Sequence, residues 1–115
     1  MKQVIMMFLL LLSIQAIAQH ASLKVVMIRH GEKDEATGNL SCTGFNRALK
    51  LPAVLNAKFA KPAAIYVPSL SDKKITGHAR MFQTITPFAI QDSIAINSSH
   101  KVDKDSAVAK DVMTR

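Results

Sequence analysis

Residues 23–28, Leu-Lys-Val-Val-Met-Ile, form an almost unbroken apolar run that ends abruptly in Arg29, His30 and Gly31. Branching at Cβ favours extended backbone, and an apolar run without polar alternation suits a strand covered on both faces. Strands of that kind occur in parallel sheets with helices packed above and below. The run therefore predicts an α/β fold with this segment as a buried strand.

The rest of the chain extends that expectation. A loop rich in charge and turn formers, His-Gly-Glu-Lys-Asp-Glu-Ala-Thr-Gly-Asn-Leu-Ser-Cys-Thr-Gly, follows the run. Ser41 or Thr43 can cap the next element, a helix on which Ala48, Leu51, Leu55 and Phe59 fall on one face. Pro52 removes one hydrogen bond from that helix and predicts a bend. A second strand, Ala-Ala-Ile-Tyr-Val, lies between Pro62 and Pro68. A polar loop across residues 69–77 leads to a second helix in which Met81, Ile85 and Phe88 have helical spacing and Pro87 predicts a kink or an early end. Residues 92–97, Asp-Ser-Ile-Ala-Ile-Asn, read as a third strand. A last helix starts near Asp103 or Asp105, with Val108 and Val112 on one face. The order β-α-β-α-β-α predicts a mainly parallel sheet in a three-layer α/β/α sandwich. Three strands leave an open edge, so the reading is of a domain whose C-terminal part is missing.

The N-terminus is a separate matter. Residues 1–18 combine Lys2, an apolar stretch around Phe8 to Leu12 and the small-x-small pattern Ala16-Ile17-Ala18, the layout of a signal peptide. The apolar stretch is too short and too broken by Ser13 and Gln15 to predict a lasting membrane anchor. Cleavage after Ala18 predicts export to the periplasm or the medium and leaves residues 19–115 as one partial domain. That mature chain has 97 residues (115 less 18). Losing Lys2 from 15 basic residues leaves 14 against 8 acidic ones, a net charge of +6. The basic excess suits an anionic ligand, but the lysines are dispersed and no nucleic-acid motif is present. Cys42 is the only cysteine, which excludes an internal disulfide. It also excludes the zinc deaminase pattern to which His30-Gly31-Glu32 corresponds in part, because Cys-x-x-Cys is required there.

Candidate chemistry gathers where the first apolar run stops. In open α/β sheets ligands bind beyond the carboxyl ends of strands. Arg29 there offers a guanidinium fork matched to phosphate oxygens. His30 offers an imidazole that is neutral near physiological pH and can act as nucleophile or base. Gly31 permits a sharp turn and close approach of a ligand.

Three stretches taken together, Ile-Arg-His-Gly-Glu-Lys, then Leu40-Ser41-x-x-Gly44-x-x-Arg47-Ala48, then Arg80 ahead of Gln83-Thr84-x-Thr86, resemble the histidine phosphatase superfamily, the phosphoglycerate-mutase-like fold. The resemblance covers residues 23–113. It implies a phosphate-monoester hydrolase in which His30 takes the phosphoryl group as a phosphohistidine, while Arg29 and Arg80 hold its oxygens. It implies no metal and no cofactor, and a phosphorylated small molecule or phosphoprotein as substrate. Export favours a phosphatase over a mutase. Glu32, Asp92, Asp103 and Asp105 are the candidates for protonating the leaving group, and the pattern selects none of them. The family's second histidine belongs at the end of a later hydrophobic strand. His100, in a polar link, is not equated with it, so that strand is expected beyond Arg115. The alternative expectation is a truncated or inactive family member that binds anions weakly.

Overall fold

The computed structural model of the chain describes residues 22–70 and 77–114. The expected signal peptide, His20 and most of the expected 69–77 loop lie outside the described residues. Five elements follow in the order α1 (Cys42–Lys58), β1 (Ile65–Tyr66), α2 (Ala79–Gln91), β2 (Ile96–Asn97) and α3 (Asp105–Met113). The architecture is mixed α/β, with β1 and β2 paired in parallel so that Ile65 faces Ile96 and Tyr66 faces Asn97. Hydrogen bonds from Val67 N to Asn97 O (3.0 Å) and from Ser69 N to His100 O (2.7 Å) carry the pairing past the strands' carboxyl ends.

The start of α1 and the end of α2 have local causes. The Ser41 hydroxyl accepts the Gly44 amide at 3.1 Å and starts α1, as the sequence predicts. Pro52 is buried within α1 and the helix runs on through it, as α2 runs on through Pro87. α2 closes with a Schellman arrangement. The Ile94 amide bonds Ala89 O at 2.9 Å, the Ser93 amide bonds Ile90 O at 3.2 Å, and Ser93 has φ +53° where glycine is the usual residue. Asp92 and Ser93 thus finish a helix, and the third expected strand shrinks to its last two residues.

The core lies between α1, α2 and the two strands. Ile65, Ile85, Phe88 and Ala89 are buried, with Leu51, Leu55, Val67, Ile94 and Ile96 packed against them. The faces predicted from Leu51–Leu55 and from Ile85–Phe88 are the faces used. α3 contributes no fully buried residue; Val108 and Val112 are half-buried, and the Asp111 carboxylate ties the helix to β2 and the residues after it. There Asp111 Oδ2 accepts from Asn97 Nδ2 at 3.3 Å and from His100 Nε2 at 3.2 Å.

The first expected strand is a correction. Residues 23–28 have no strand partner among the described residues, and Leu23, Val25, Val26, Met27 and Ile28 are all exposed, Met27 at 91%. Side-chain pattern records what a segment suits, but burial on two faces needs neighbours on both sides. The described sheet has two strands, and neither takes up this backbone. Met27→Lys is therefore expected to change the unfolding free energy by no more than about 0.5 kcal/mol. Phe88→Ala, in a core this small, is expected to cost about 3–5 kcal/mol. Urea unfolding of the two variants checks the contrast, and an equal loss in both would restore the buried-strand expectation.

Candidate functional site

The turn after the apolar run is built by its neighbours. Lys33 and Leu40 form an antiparallel bridge. Between them the Asp34 carboxylate accepts the amides of Ala36 (2.8 Å) and Thr37 (3.2 Å), and Gly38 takes φ +76°. The charged loop is thus a compact hairpin. Its base is fastened to α1, because the Ser41 amide donates to Glu32 O at 2.8 Å.

Two glycines let the turn approach that helix. A Cβ on Gly31 would meet Gly44 O at 2.9 Å and Gly44 Cα at 3.0 Å. A Cβ on Gly44 would clash with the Glu32 carbonyl oxygen and lie 2.7 Å from the Glu32 nitrogen. Backbone therefore packs directly on backbone here, and the constraint at Gly44 is space, not conformation.

α2 fastens the other side. Gln83 Oε1 accepts the Leu40 amide at 2.9 Å, while Gln83 Nε2 donates to Asn39 Oδ1 at 3.0 Å. Thr84, buried at 6% exposure, accepts the Gly31 amide on Oγ1 at 3.0 Å and donates the same hydroxyl to Arg80 O at 2.7 Å. Arg80, Gln83 and Thr84 sit three and four residues apart, hence on one side of α2.

Two of the three predicted site residues meet. Arg80 Nε donates to His30 Nε2 at 3.1 Å, and His30 Nδ1 lies 2.8 Å from Gly31 O. A carbonyl only accepts, so Nδ1 carries a proton. Nε2 receives the guanidinium N–H, so it presents its lone pair. The pair assigns the Nδ1–H tautomer to a half-buried imidazole, with a fixed positive charge at the nitrogen that remains free. Arg80 also reaches Gly77 O through Nη1 at 3.4 Å. Arg29 is exposed and makes no hydrogen bond or ion pair within the described residues, so chain adjacency alone joins it to His30.

Three of the four carboxylates considered for the leaving group are engaged elsewhere. Glu32 pairs with Arg47 at 2.7 Å, an exposed bridge worth at most about 1 kcal/mol. Asp92 accepts from Asn56 at 3.2 Å, and Asp103 faces Lys104 at 3.7 Å. Asp105 sits in the first turn of α3. His78 stands at the N-cap position of α2 without a side-chain capping bond, and its Nδ1 lies 3.0 Å from Ser69 O. His100 is held by Asp111, as described above. Cys42 is exposed at the start of α1. Among the described residues no group of three or more His, Cys, Asp or Glu could hold a metal ion, and no helix is long and apolar enough to cross a membrane.

Sequence reasoning left Gln83 and Thr84 without a role. Their signal was available: polar side chains repeating at helical spacing from Arg80 on an otherwise apolar helix.

Gly44→Ala tests the close approach. Its methyl must displace the Glu32 backbone, so the His30–Arg80 contact should loosen while the helix itself remains favourable to alanine. The expected result is a drop of about 1–3 kcal/mol in stability, with altered His30 ring signals by NMR. Unchanged stability and unchanged ring signals would remove Gly44 from the account of the site. In comparisons with known proteins, no family model matches the chain, and no curated protein or solved structure matches it.

Proposed function

We propose that the chain is a histidine-phosphatase-type domain in which His30 accepts a phosphoryl group from a phosphate monoester. The observation that carries the reading is the oriented imidazole: Nδ1–H on the Gly31 carbonyl at 2.8 Å, and an unprotonated Nε2 that receives the Arg80 Nε–H at 3.1 Å. Phosphoryl transfer asks for an in-line nucleophile and positive charge at the oxygens of phosphorus more than for other chemistry. His30 supplies the first and Arg80 the second, with Arg29 beside them as a further cation. The resemblance noted in the sequence supports the same reading and brings with it the three-layer sandwich and a phosphorylated small molecule or phosphoprotein as substrate; the signal-peptide layout of residues 1–18 adds export.

The chemistry closes on these groups and water. The His30 Nε2 lone pair forms a bond to phosphorus as the ester P–O bond breaks and the leaving oxygen departs with its electron pair. Water then adds to phosphorus, the P–Nε2 bond breaks, and inorganic phosphate leaves. The proton lost by the water neutralises the departed oxygen. No carboxylate makes a hydrogen bond or ion pair to His30 or Arg80 among the described residues. A substrate with a stable leaving anion therefore suits the site best.

An aryl phosphate is the corresponding probe. Turnover by the 115-residue chain should fall at least about 10³-fold in His30→Ala and about 10²–10³-fold in Arg80→Ala. Absence of turnover and of any phosphohistidine would overturn the enzymatic reading. If inorganic phosphate still shifted the His30 and Arg80 NMR signals, the weak anion-binding reading would replace it.

A further inference from the structure

The hydroxyl of Thr84 joins the backbone of Gly31, the residue after His30, to the backbone of Arg80. It accepts the Gly31 amide at 3.0 Å and donates to the Arg80 carbonyl at 2.7 Å. The Arg80 carbonyl lies one turn before Thr84 on α2, whereas Gly31 lies 53 residues away in sequence. One oxygen atom thus fixes the distance between the His30–Gly31 peptide and the helix turn that carries the guanidinium. Only a side-chain hydroxyl can accept from one of these groups and donate to the other at this length.

Gly31 is the residue through which this reaches the imidazole. Its amide is held by Thr84, and its carbonyl receives His30 Nδ1–H at 2.8 Å. Loss of the Thr84 bond leaves the partly buried Gly31 amide without that partner and loosens Gly31, whose φ and ψ set where its carbonyl points. With the Gly31 carbonyl and the α2 turn that carries Arg80 no longer held in register, neither the Nδ1 proton nor the Nε2 lone pair is fixed, and imidazole returns to the Nε2–H form that it prefers in water. That form presents a hydrogen at the position where the lone pair is needed.

We infer that Thr84 is a positioning residue: it sets the tautomer of His30 and its register with Arg80 through a single bridging hydroxyl. This rests on the reading of His30 as a phosphoryl acceptor, and the two can fail separately.

Nitrogen-15 NMR of the imidazole rings in the full 115-residue chain reads the tautomer directly. The wild-type protein should show His30 as Nδ1–H. Thr84→Val, nearly the same in shape but without the hydroxyl, should move it to mainly Nε2–H while α2 keeps its helical signals. Thr84→Ser should restore the wild-type ring spectrum. Turnover of an aryl phosphate should follow the same order, falling about 10²-fold in Thr84→Val and recovering to within a few-fold in Thr84→Ser. A purely structural role would not move the ring nitrogens in a variant that remains folded.

Hydrogen exchange of the Gly31 amide in the wild-type protein provides a reading that does not depend on Thr84→Val folding. Slow exchange is expected, and exchange as fast as in an unstructured chain would overturn the inference. So would a Thr84→Val protein that keeps the Nδ1–H form, or a folded Thr84→Ser protein that loses it. A wild-type His30 already in the Nε2–H form would overturn the phosphoryl-acceptor reading as well. Wild-type Nδ1–H with unchanged turnover in Thr84→Val would overturn the Thr84 role alone.

Discussion

Gly31 is held between two helices, and the site depends on that grip. From one side the backbone of Gly44 in α1 lies so close that neither glycine tolerates a Cβ. From the other, Thr84 in α2 takes the Gly31 amide. A residue fixed in this way has little freedom left to vary its peptide orientations, and the His30 ring hangs from its carbonyl. A loop position thus becomes as definite as a strand position. The hairpin between Lys33 and Leu40 adds to this, because Gln83 holds Asn39 and Leu40 from the same helix.

α2 therefore works on two sides. Ile85, Phe88 and Ala89 fill the core against β1, β2 and α1. Arg80, Gln83 and Thr84 face the turn. Burial of the first set sets where the helix lies, and the polar set converts that position into a distance between His30 and Arg80. Polar bonds alone would not suffice, since each is worth only about 0.5–1.5 kcal/mol net. A buried aromatic or aliphatic side chain contributes more, about 1.5–3 kcal/mol. The apolar face thus supplies most of the stability and the polar face the precision.

How much of this could be read from the sequence follows from the range of each signal. Helical spacing is local, so Leu51 with Leu55 and Ile85 with Phe88 indicated the helix faces correctly. Capping is local too, and Ser41 was legible for that reason. The strands were legible as existing but not in extent, because the turn chemistry of Asp92 and Ser93 competes with extension and closes α2 instead. The run at residues 23–28 misled most. Its pattern states a preference for burial, while burial itself depends on partners that the pattern cannot name. Arg80 was found through its motif context, and its contact with His30 crosses 50 residues. Thr84 was visible as a letter in the same motif, yet its role comes from an atom-scale bridge that no spacing rule encodes.

The contact between Arg80 and His30 also has a consequence for how an anion would enter. Arg80 Nε occupies the same Nε2 lone pair that phosphorus must approach. On the phosphoryl-transfer reading, the two cannot be simultaneous, so the guanidinium has to slide from the ring to the phosphoryl oxygens. The exchange is favourable in direction, because N–H bonds to an anion are about twice as strong as those to a neutral acceptor. Guanidinium also carries five donors, of which Nε meets His30 and one on Nη1 makes a long contact to Gly77. Arg80 in this arrangement holds the lone pair of His30 in a defined direction until a better acceptor reaches the guanidinium. Arg29, exposed and without a hydrogen bond or ion pair among the described residues, would on the same reading need no such release and could draw the anion in. On the phosphoryl-transfer reading, the two arginines would divide the work that a symmetric pair of phosphate clamps would share.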